Sequence, residues 1–160
     1  MENDNALALL KLDMDDEEVP YKVNAIHRLK TVILSIGAEA SVLQLIPYLE
    51  ILIKEECDEV HFAIADELGQ CFHLLADKTA FLPLLEKLAI HDETVVREFA
   101  SDSLVAICKT LSEAEIQAKF VPMVLRLTEG EPEKFTGKMS STYLFTVCYA
   151  KSGDAKEQLR

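Results

Sequence analysis

The sequence predicts an all-α fold, an α–α superhelix of about four stacked helical hairpins, and two observations lead to this prediction. The first is composition: 49% of the 160 residues are hydrophobic, 5 are glycine, 5 are proline and tryptophan is absent. Such a chain is rich in helix formers, poor in β-hairpin signals and long enough for one core. The second is an internal repeat of 36 to 40 residues, a period typical of stacked helical units.

An apolar-Pro-apolar motif marks the first helix of three units. It reads LIPYL at 45–49, FLPLL at 81–85 and FVPMV at 120–124, and its prolines are 36 and 39 residues apart. Proline is tolerated in the first turn of a helix, because its missing N–H would have no intrahelical acceptor there. We therefore expect Pro47, Pro83 and Pro122 each to lie in the first turn of a helix.

A second set of positions marks the second helix of each unit. Leucines recur there at intervals of 39, 36 and 40 residues, namely Leu29, Leu68, Leu104 and Leu144. Cysteines keep almost the same spacing in three units, namely Cys71, Cys108 and Cys148. In the third unit, apolar or small residues recur at offsets of three and four from Val96 to Leu111, which places them on one helical face. We expect the three cysteines to be small buried residues between stacked helices.

A short acidic turn joins the two helices of each unit. The turns span 13–18, 54–59, 91–94 and 129–135, which gives hairpins at 1–36, 41–76, 79–111 and 116–150 of a single array covering 1–160. A lone hairpin cannot bury its apolar face, so neighbouring hairpins must stack. The period, and the lack of tetratricopeptide or ankyrin signatures, favour HEAT repeats. Such an array offers an extended surface to other proteins.

Charge restricts the partners that this surface can bind. The chain has 28 acidic and 16 basic side chains, a formal net charge of -12, which repels phosphate backbones and anionic lipids. We expect neither nucleic acid nor membrane partners, and no apolar run approaches the roughly 20 residues of a membrane span. Scattered cysteines without a CxxC pair, and a polar start at 1–5, predict an intracellular protein of the cytoplasm and also the nucleus.

Cysteine and histidine residues in the second unit superficially suggest a metal site, since thiolate and imidazole are zinc ligands. They are Cys57, His61, Cys71 and His73. Two residues at positions i and i+2 of a helix point about 200° apart around its axis and cannot bind one ion. We therefore predict no metal and no cofactor.

Catalytic motifs are absent from the sequence. A metal-dependent HEAT-like hydroxylase, the enzymatic alternative, requires paired His-Glu dipeptides, but the four histidines precede Arg28, Phe62, Leu74 and Asp92. There is no Gly-rich phosphate loop and no local catalytic triad motif. The sequence therefore predicts a protein that is not an enzyme.

Several segments, in order along the chain, resemble the scaffold (A, structural) subunit of protein phosphatase 2A. The strongest are DETVVR at 92–97, SLVAI at 103–107, FVP at 120–122, RL at 126–127 and LFTVCY at 144–149, together with EV at 59–60 and ELG at 67–69. The resemblance implies a non-catalytic scaffold whose N-terminal repeats hold a regulatory (B-type) subunit, while its C-terminal repeats hold the catalytic subunit. Another HEAT adaptor, such as a transport receptor or assembly factor, is the alternative.

The resemblance covers only the first four repeats of that family. Residues 151–160 resemble the opening helix of a fifth repeat. We therefore expect the chain to be a fragment of a longer array, in which the catalytic subunit would bind through repeats that this chain lacks.

The resemblance also implies which residues contact a regulatory subunit, because that subunit docks on the intra-repeat turns and the starts of the second helices. The matching positions are Glu59, Asp92, Glu93, Thr94, Arg97 and Phe135. In the fourth turn, PEKFT at 132–136 places Lys134 where the family usually has tryptophan, which removes an aromatic anchor.

Local structural roles are the alternative for the same side chains. The acids at 58, 59, 92 and 93 would cap helices and offset their dipoles. Arg97 would bind an acid of a neighbouring repeat, and Phe135 would pack beneath its turn.

Overall fold

A computed structural model of the chain describes residues 3–129, 135–151 and 153, and within these ranges all regular secondary structure is helical. The first hairpin pairs one helix with a second that is broken at 27–28. Its helices are α1 (Asn3–Met14), α2 (Val19–Ile26) and α3 (Leu29–Ile36).

The second hairpin begins with a composite helix. This comprises α4 (Ala38–Ala40), a π-helical turn (Ser41–Leu45) and α5 (Ile46–Glu55). Its second helix is α6 (Asp58–Cys71), which continues into a 3-10 turn (Phe72–Leu74).

The third hairpin has the shortest first helix and one of the longest second helices. These are α7 (Leu82–Leu88) and α8 (Thr94–Thr110). The fourth repeats the composite arrangement with α9 (Glu113–Glu115), a π-helical turn (Ile116–Phe120), α10 (Val121–Glu129) and α11 (Phe135–Lys151).

The hairpins stack in two layers. In one layer, α2 and α3 pack on α6, α6 on α8, and α8 on α11; in the other, α7 contacts both α5 and α10. Among the described residues, buried apolar side chains form one cluster between the layers. The four repeat leucines and the three repeat cysteines are each 0% exposed, which confirms the role predicted for the cysteines. The all-α HEAT-repeat fold is thereby confirmed.

The prolines depart in one respect from the prediction. Pro83 lies at the start of α7 as expected. Pro47 and Pro122 are each the second residue of an α-helical segment, but a π-helical turn precedes that segment, so neither begins a helix. In these turns the bonds run to the fifth preceding carbonyl, as from the Ile46 N–H to the Ser41 oxygen. We attribute the π-helical turns to proline, which cannot donate the usual bond.

Gly37 sets the bend between the first two hairpins. Its φ of 85° is unfavourable for residues with a Cβ, and its N–H bonds to the Ile33 carbonyl at 2.9 Å. The helices on either side, Leu29–Ile36 and Ala38–Glu55, are bent by 117°. By length and composition these two together could cross a bilayer, whereas no single described helix is long and apolar enough to do so.

Ion pairs link the first helices of successive hairpins. Lys87 binds Glu50 at 2.9 Å, and Arg126 binds Glu86 through two bonds of 2.8 and 2.7 Å. Each acid lies three residues after its repeat proline, and each base lies four residues after the next one. These pairs are largely exposed, so each contributes little stability, but the same contact recurs between successive first helices.

Candidate partner-binding grooves

The second helices of all four hairpins begin near the acidic turns, and the first turns of α2, α6 and α8 border an open groove of about 750 Å³. Partly or fully buried apolar side chains line most of its floor, and three exposed carboxylates form its rim. The lining residues, which define the acidic groove, are Val19, Pro20, Val23, Asp58, Glu59, Phe62, Glu93, Val95 and Val96.

An aromatic contact supports the apolar part of the acidic groove. Phe62 meets Phe99 edge to face, with ring centroids 4.5 Å apart. Val96 is buried, whereas Val95 is 51% exposed and available for contact. Apolar surface of this kind, rimmed by polar groups, is typical of a binding site.

The rim of the acidic groove carries negative charge at neutral pH. Asp58, Glu59 and Glu93 are all exposed. The Glu59 carboxylate accepts a hydrogen bond from its own backbone N–H, which lowers the pKa of that carboxyl below its usual value. The groove therefore suits a partner segment that combines apolar and basic side chains.

A second groove of about 380 Å³ lies between α8 and α11. The side chains that line it are Thr94, Arg97, Glu98, Ser101, Asp102, Met139, Ser140 and Tyr143. The Tyr143 hydroxyl donates to the Asp102 carboxylate at 3.0 Å, and this bond raises the pKa of Tyr143. Since Met139 and Tyr143 are about half exposed, this α8–α11 groove also presents contact surface.

Four of the six predicted contact residues line these two grooves. Glu59 and Glu93 line the acidic groove, whereas Thr94 and Arg97 line the α8–α11 groove. Asp92 is exposed but lines neither of them.

Phe135, the first residue of α11, is 67% exposed and also lines neither groove. Lys134 and the rest of 130–134 lie outside the described residues. That any of the six predicted residues contacts a partner stays a prediction.

Arg97 has a structural role that differs from the predicted bond to a neighbouring repeat. It is 8% exposed, and its Nη1 donates to the carbonyls of His91 and Asp92, both at 2.6 Å. Its Nη2 donates to the Thr94 hydroxyl at 3.0 Å. Arg97 therefore holds its own intra-repeat turn, and other bases, among them Lys22, Lys87 and Arg126, pair with acids of a neighbouring hairpin.

The predicted capping role of the acids is only partly correct. Asp58 and Glu59 occupy the first turn of α6, where a negative charge offsets the helix dipole. Glu93 is the N-cap residue of α8, but its side chain makes no capping bond. Its carboxylate remains available on the rim of the acidic groove.

Sequence reasoning missed a cluster at the same edge, formed by Asp58, His61 and His91. It grouped His61 with Cys57, Cys71 and His73, whereas the structure places the His61 Nδ1 3.0 Å from the His91 Nε2.

The repeat pattern already placed His61 at the same position in its hairpin as Arg97. His61 precedes Leu68 by seven residues, as Arg97 precedes Leu104. Both side chains bind a backbone carbonyl near their own turn, His61 that of Leu52 and Arg97 those of His91 and Asp92.

Comparison with known proteins shows what the chain is similar to. A scan against protein-family models finds no match. The chain is 38% identical over 149 residues to a regulatory subunit of protein phosphatase PP2A from Schizosaccharomyces pombe, an alignment covering 91% of the chain and 25% of that protein. It is 37% identical over 158 residues to the beta isoform of a 65 kDa regulatory subunit of serine/threonine-protein phosphatase 2A from Rattus norvegicus, covering 96% and 26% respectively.

A third relative carries the word scaffold in its name. The "Protein phosphatase 2A scaffold subunit" of Dictyostelium discoideum is 30% identical over 158 residues, which cover 96% of the chain and 27% of that protein. The chain thus spans about a quarter of the length of these curated relatives. The predicted resemblance is confirmed, and the names, which denote regulatory or scaffold subunits and not catalytic ones, confirm the prediction of a non-enzyme.

Proposed function

We propose, from this relationship to protein phosphatase 2A scaffold subunits, that the chain is a non-catalytic docking module that binds a regulatory (B-type) subunit through its acidic groove and intra-repeat turns. The acidic groove is the observation that carries the proposal. It crosses three successive hairpins at the edge where the resemblance predicts docking, and it includes Glu59 and Glu93.

Charge and shape support a protein partner at this edge. The apolar floor contributes binding energy through burial, while the rim acids attract a basic surface and speed encounter. A net charge of -12 disfavours nucleic acid and anionic membranes. We assign the chain to the cytoplasm and also the nucleus, where an acidic scaffold of this kind would meet its phosphatase partners.

The proposed mechanism is to hold two other subunits close together. A scaffold that holds a substrate-selecting subunit beside a catalytic one raises the effective concentration of each at the other. Four hairpins supply the first of these two contacts. The second requires surface outside this chain, so we expect the catalytic subunit by itself not to bind.

The test is calorimetric titration of the purified chain, first with a B-type regulatory subunit, then with the catalytic subunit. We expect binding to the former, and a loss of at least roughly tenfold in affinity for the variant Glu59→Lys/Glu93→Lys, because both rim acids become bases. Affinity should also fall as salt is raised, since the rim charges are exposed.

A matched control reverses two charges at the opposite edge, where the hairpins are joined to one another. Glu39 and Glu113 are exposed there, each in the first turn of a first helix, and Glu39→Lys/Glu113→Lys should bind like the unmodified chain. Equal affinity of both double variants for the regulatory subunit would overturn the proposed site. Absence of binding by a folded sample would overturn the proposed function.

A further inference from the structure

We propose that Asp58, His61 and His91 form a binding site for a divalent cation of the zinc class, linking the second hairpin to the third. The three residues each offer one ligand atom, and these atoms all lie within 4.8 Å of one another. The site depends on these three side chains and not on the proposed phosphatase role.

The separations suit a single tetrahedral ion. The His61 Nδ1 and His91 Nε2 are 3.0 Å apart, and the His91 Nε2 is 3.6 Å from the Asp58 Oδ1. Two ligand atoms bound to one tetrahedral zinc at about 2.0–2.1 Å stand roughly 3.3 Å apart. The remaining pair, Asp58 and His61, lies within 4.8 Å, so a movement of the exposed Asp58 side chain brings all three atoms onto one ion.

The backbone arranges two of the ligands. Asp58 and His61 are three residues apart in the first turn of α6, so they share a helical face. His91 comes from the next intra-repeat turn, which Arg97 holds through the His91 carbonyl. The turn that carries His91 is therefore held in place before an ion arrives.

The outer contact of His61 is typical of a metal ligand. His61 is 6% exposed, and its Nε2 lies 3.1 Å from the Leu52 carbonyl oxygen. Because a carbonyl only accepts, the proton is on Nε2, and Nδ1 carries the lone pair that points at His91. Metal-bound histidines usually donate their second N–H to a carbonyl or carboxylate in this way.

His91 must change its tautomer to bind an ion. Its Nδ1 accepts from the Glu93 backbone N–H at 3.0 Å, which leaves the proton on Nε2, pointing at the Nδ1 of His61. The ion takes the place of that proton, which moves to Nδ1 and displaces the Glu93 hydrogen bond. Metal binding is thereby coupled to the backbone at the start of α8, next to the acidic groove.

The ligand set indicates which metals the site selects. Two imidazole nitrogens and one carboxylate oxygen suit zinc and neighbouring transition metals better than calcium or magnesium, which prefer all-oxygen sites. Three protein ligands leave a fourth position open. The side chains of His91 and Asp58 are 18% and 59% exposed, so that position is open to water or to an acidic or imidazole side chain of a partner.

The experiment titrates the metal-free chain with Zn²⁺ by calorimetry and with Co²⁺ by absorption spectroscopy. We expect one Zn²⁺ per chain and tetrahedral Co²⁺ bands without thiolate charge transfer. His91→Gln and Asp58→Asn each remove one of three ligands, so the affinity should fall by at least ~10-fold, the loss typical of an outer-shell change alone. Neither variant alters the buried His61, so both should fold.

Two matched variants complete the test. His73→Gln removes an exposed histidine from the same hairpin, and Cys57→Ser removes the partly exposed thiol next to Asp58; both should bind Zn²⁺ like the unmodified chain. In backbone NMR spectra, Zn²⁺ should shift the Glu93 amide. The proposal is overturned if the chain binds no Zn²⁺, if His91→Gln binds it equally well, or if Cys57→Ser abolishes binding.

Discussion

At the level of single residues, Arg97 has a structural role that can be distinguished from contact with a partner. The resemblance places it among the partner contacts, but its guanidinium is buried and donates three hydrogen bonds within its own turn. Its position in the repeat was readable from the sequence. Its acceptors were not, because two of them are backbone carbonyls whose direction depends on the conformation of the turn.

The change Arg97→Met tests this role. It keeps most of the side-chain volume and leaves two turn carbonyls without their donor, so we expect the free energy of unfolding to fall by about 2–3 kcal/mol. Urea denaturation measures the loss. The matched control is Arg28→Met, which removes an exposed arginine paired with Asp13 and should cost at most about 1 kcal/mol. Equal losses in the two variants would contradict the role given to Arg97.

At the scale of secondary-structure elements, the contact between α6 and α8 is set by small residues. Gly69 lies against Ser103, whose hydroxyl donates to the Ala65 carbonyl of α6 at 2.6 Å. A Cβ built on Gly69 would stand 2.7 Å from the Cβ of Ser103 and 2.9 Å from its Cα. The second helices approach closely here because one of them carries no side chain at the contact.

The change Gly69→Ala should therefore destabilise the chain, although alanine ordinarily favours a helix by about 1 kcal/mol. The backbone of Ser103 cannot yield to the added methyl group, so we expect a net loss of about 1–3 kcal/mol, measured by urea denaturation. Gln70→Ala, at the exposed neighbouring position, should leave stability nearly unchanged. A more stable Gly69→Ala variant would show that α6 and α8 are not this close.

Some features of these helices could be predicted from the sequence and others could not. The spacing of Leu29, Leu68, Leu104 and Leu144 was enough to predict the stacked second helices, since a large apolar residue that recurs at the repeat period indicates a buried position. The π-helical turns before Pro47 and Pro122 were not predicted, because the missing donor of proline is compatible both with a helix start and with a shifted bonding pattern. Only the local backbone geometry distinguishes a helix start from a π-helical turn.

At the scale of the whole molecule, the stacking of hairpins creates the candidate site. No single segment contains the acidic groove; α2, α6 and α8 come from three hairpins and meet at one edge. The resemblance indicated Glu59 and Glu93 there. The apolar floor from Val19 to Val23 and the pairing of His61 with His91 depend on how the hairpins are rotated against one another, which a repeat period does not determine.

The proposed binding of a B-type regulatory subunit to this edge can be tested by hydrogen exchange of the chain with and without saturating regulatory subunit. We predict slower amide exchange at 19–23, 58–62 and 93–97, with no change at 38–43 on the opposite edge. Protection confined to 38–43, or unchanged exchange throughout a folded chain mixed with excess regulatory subunit, would contradict it.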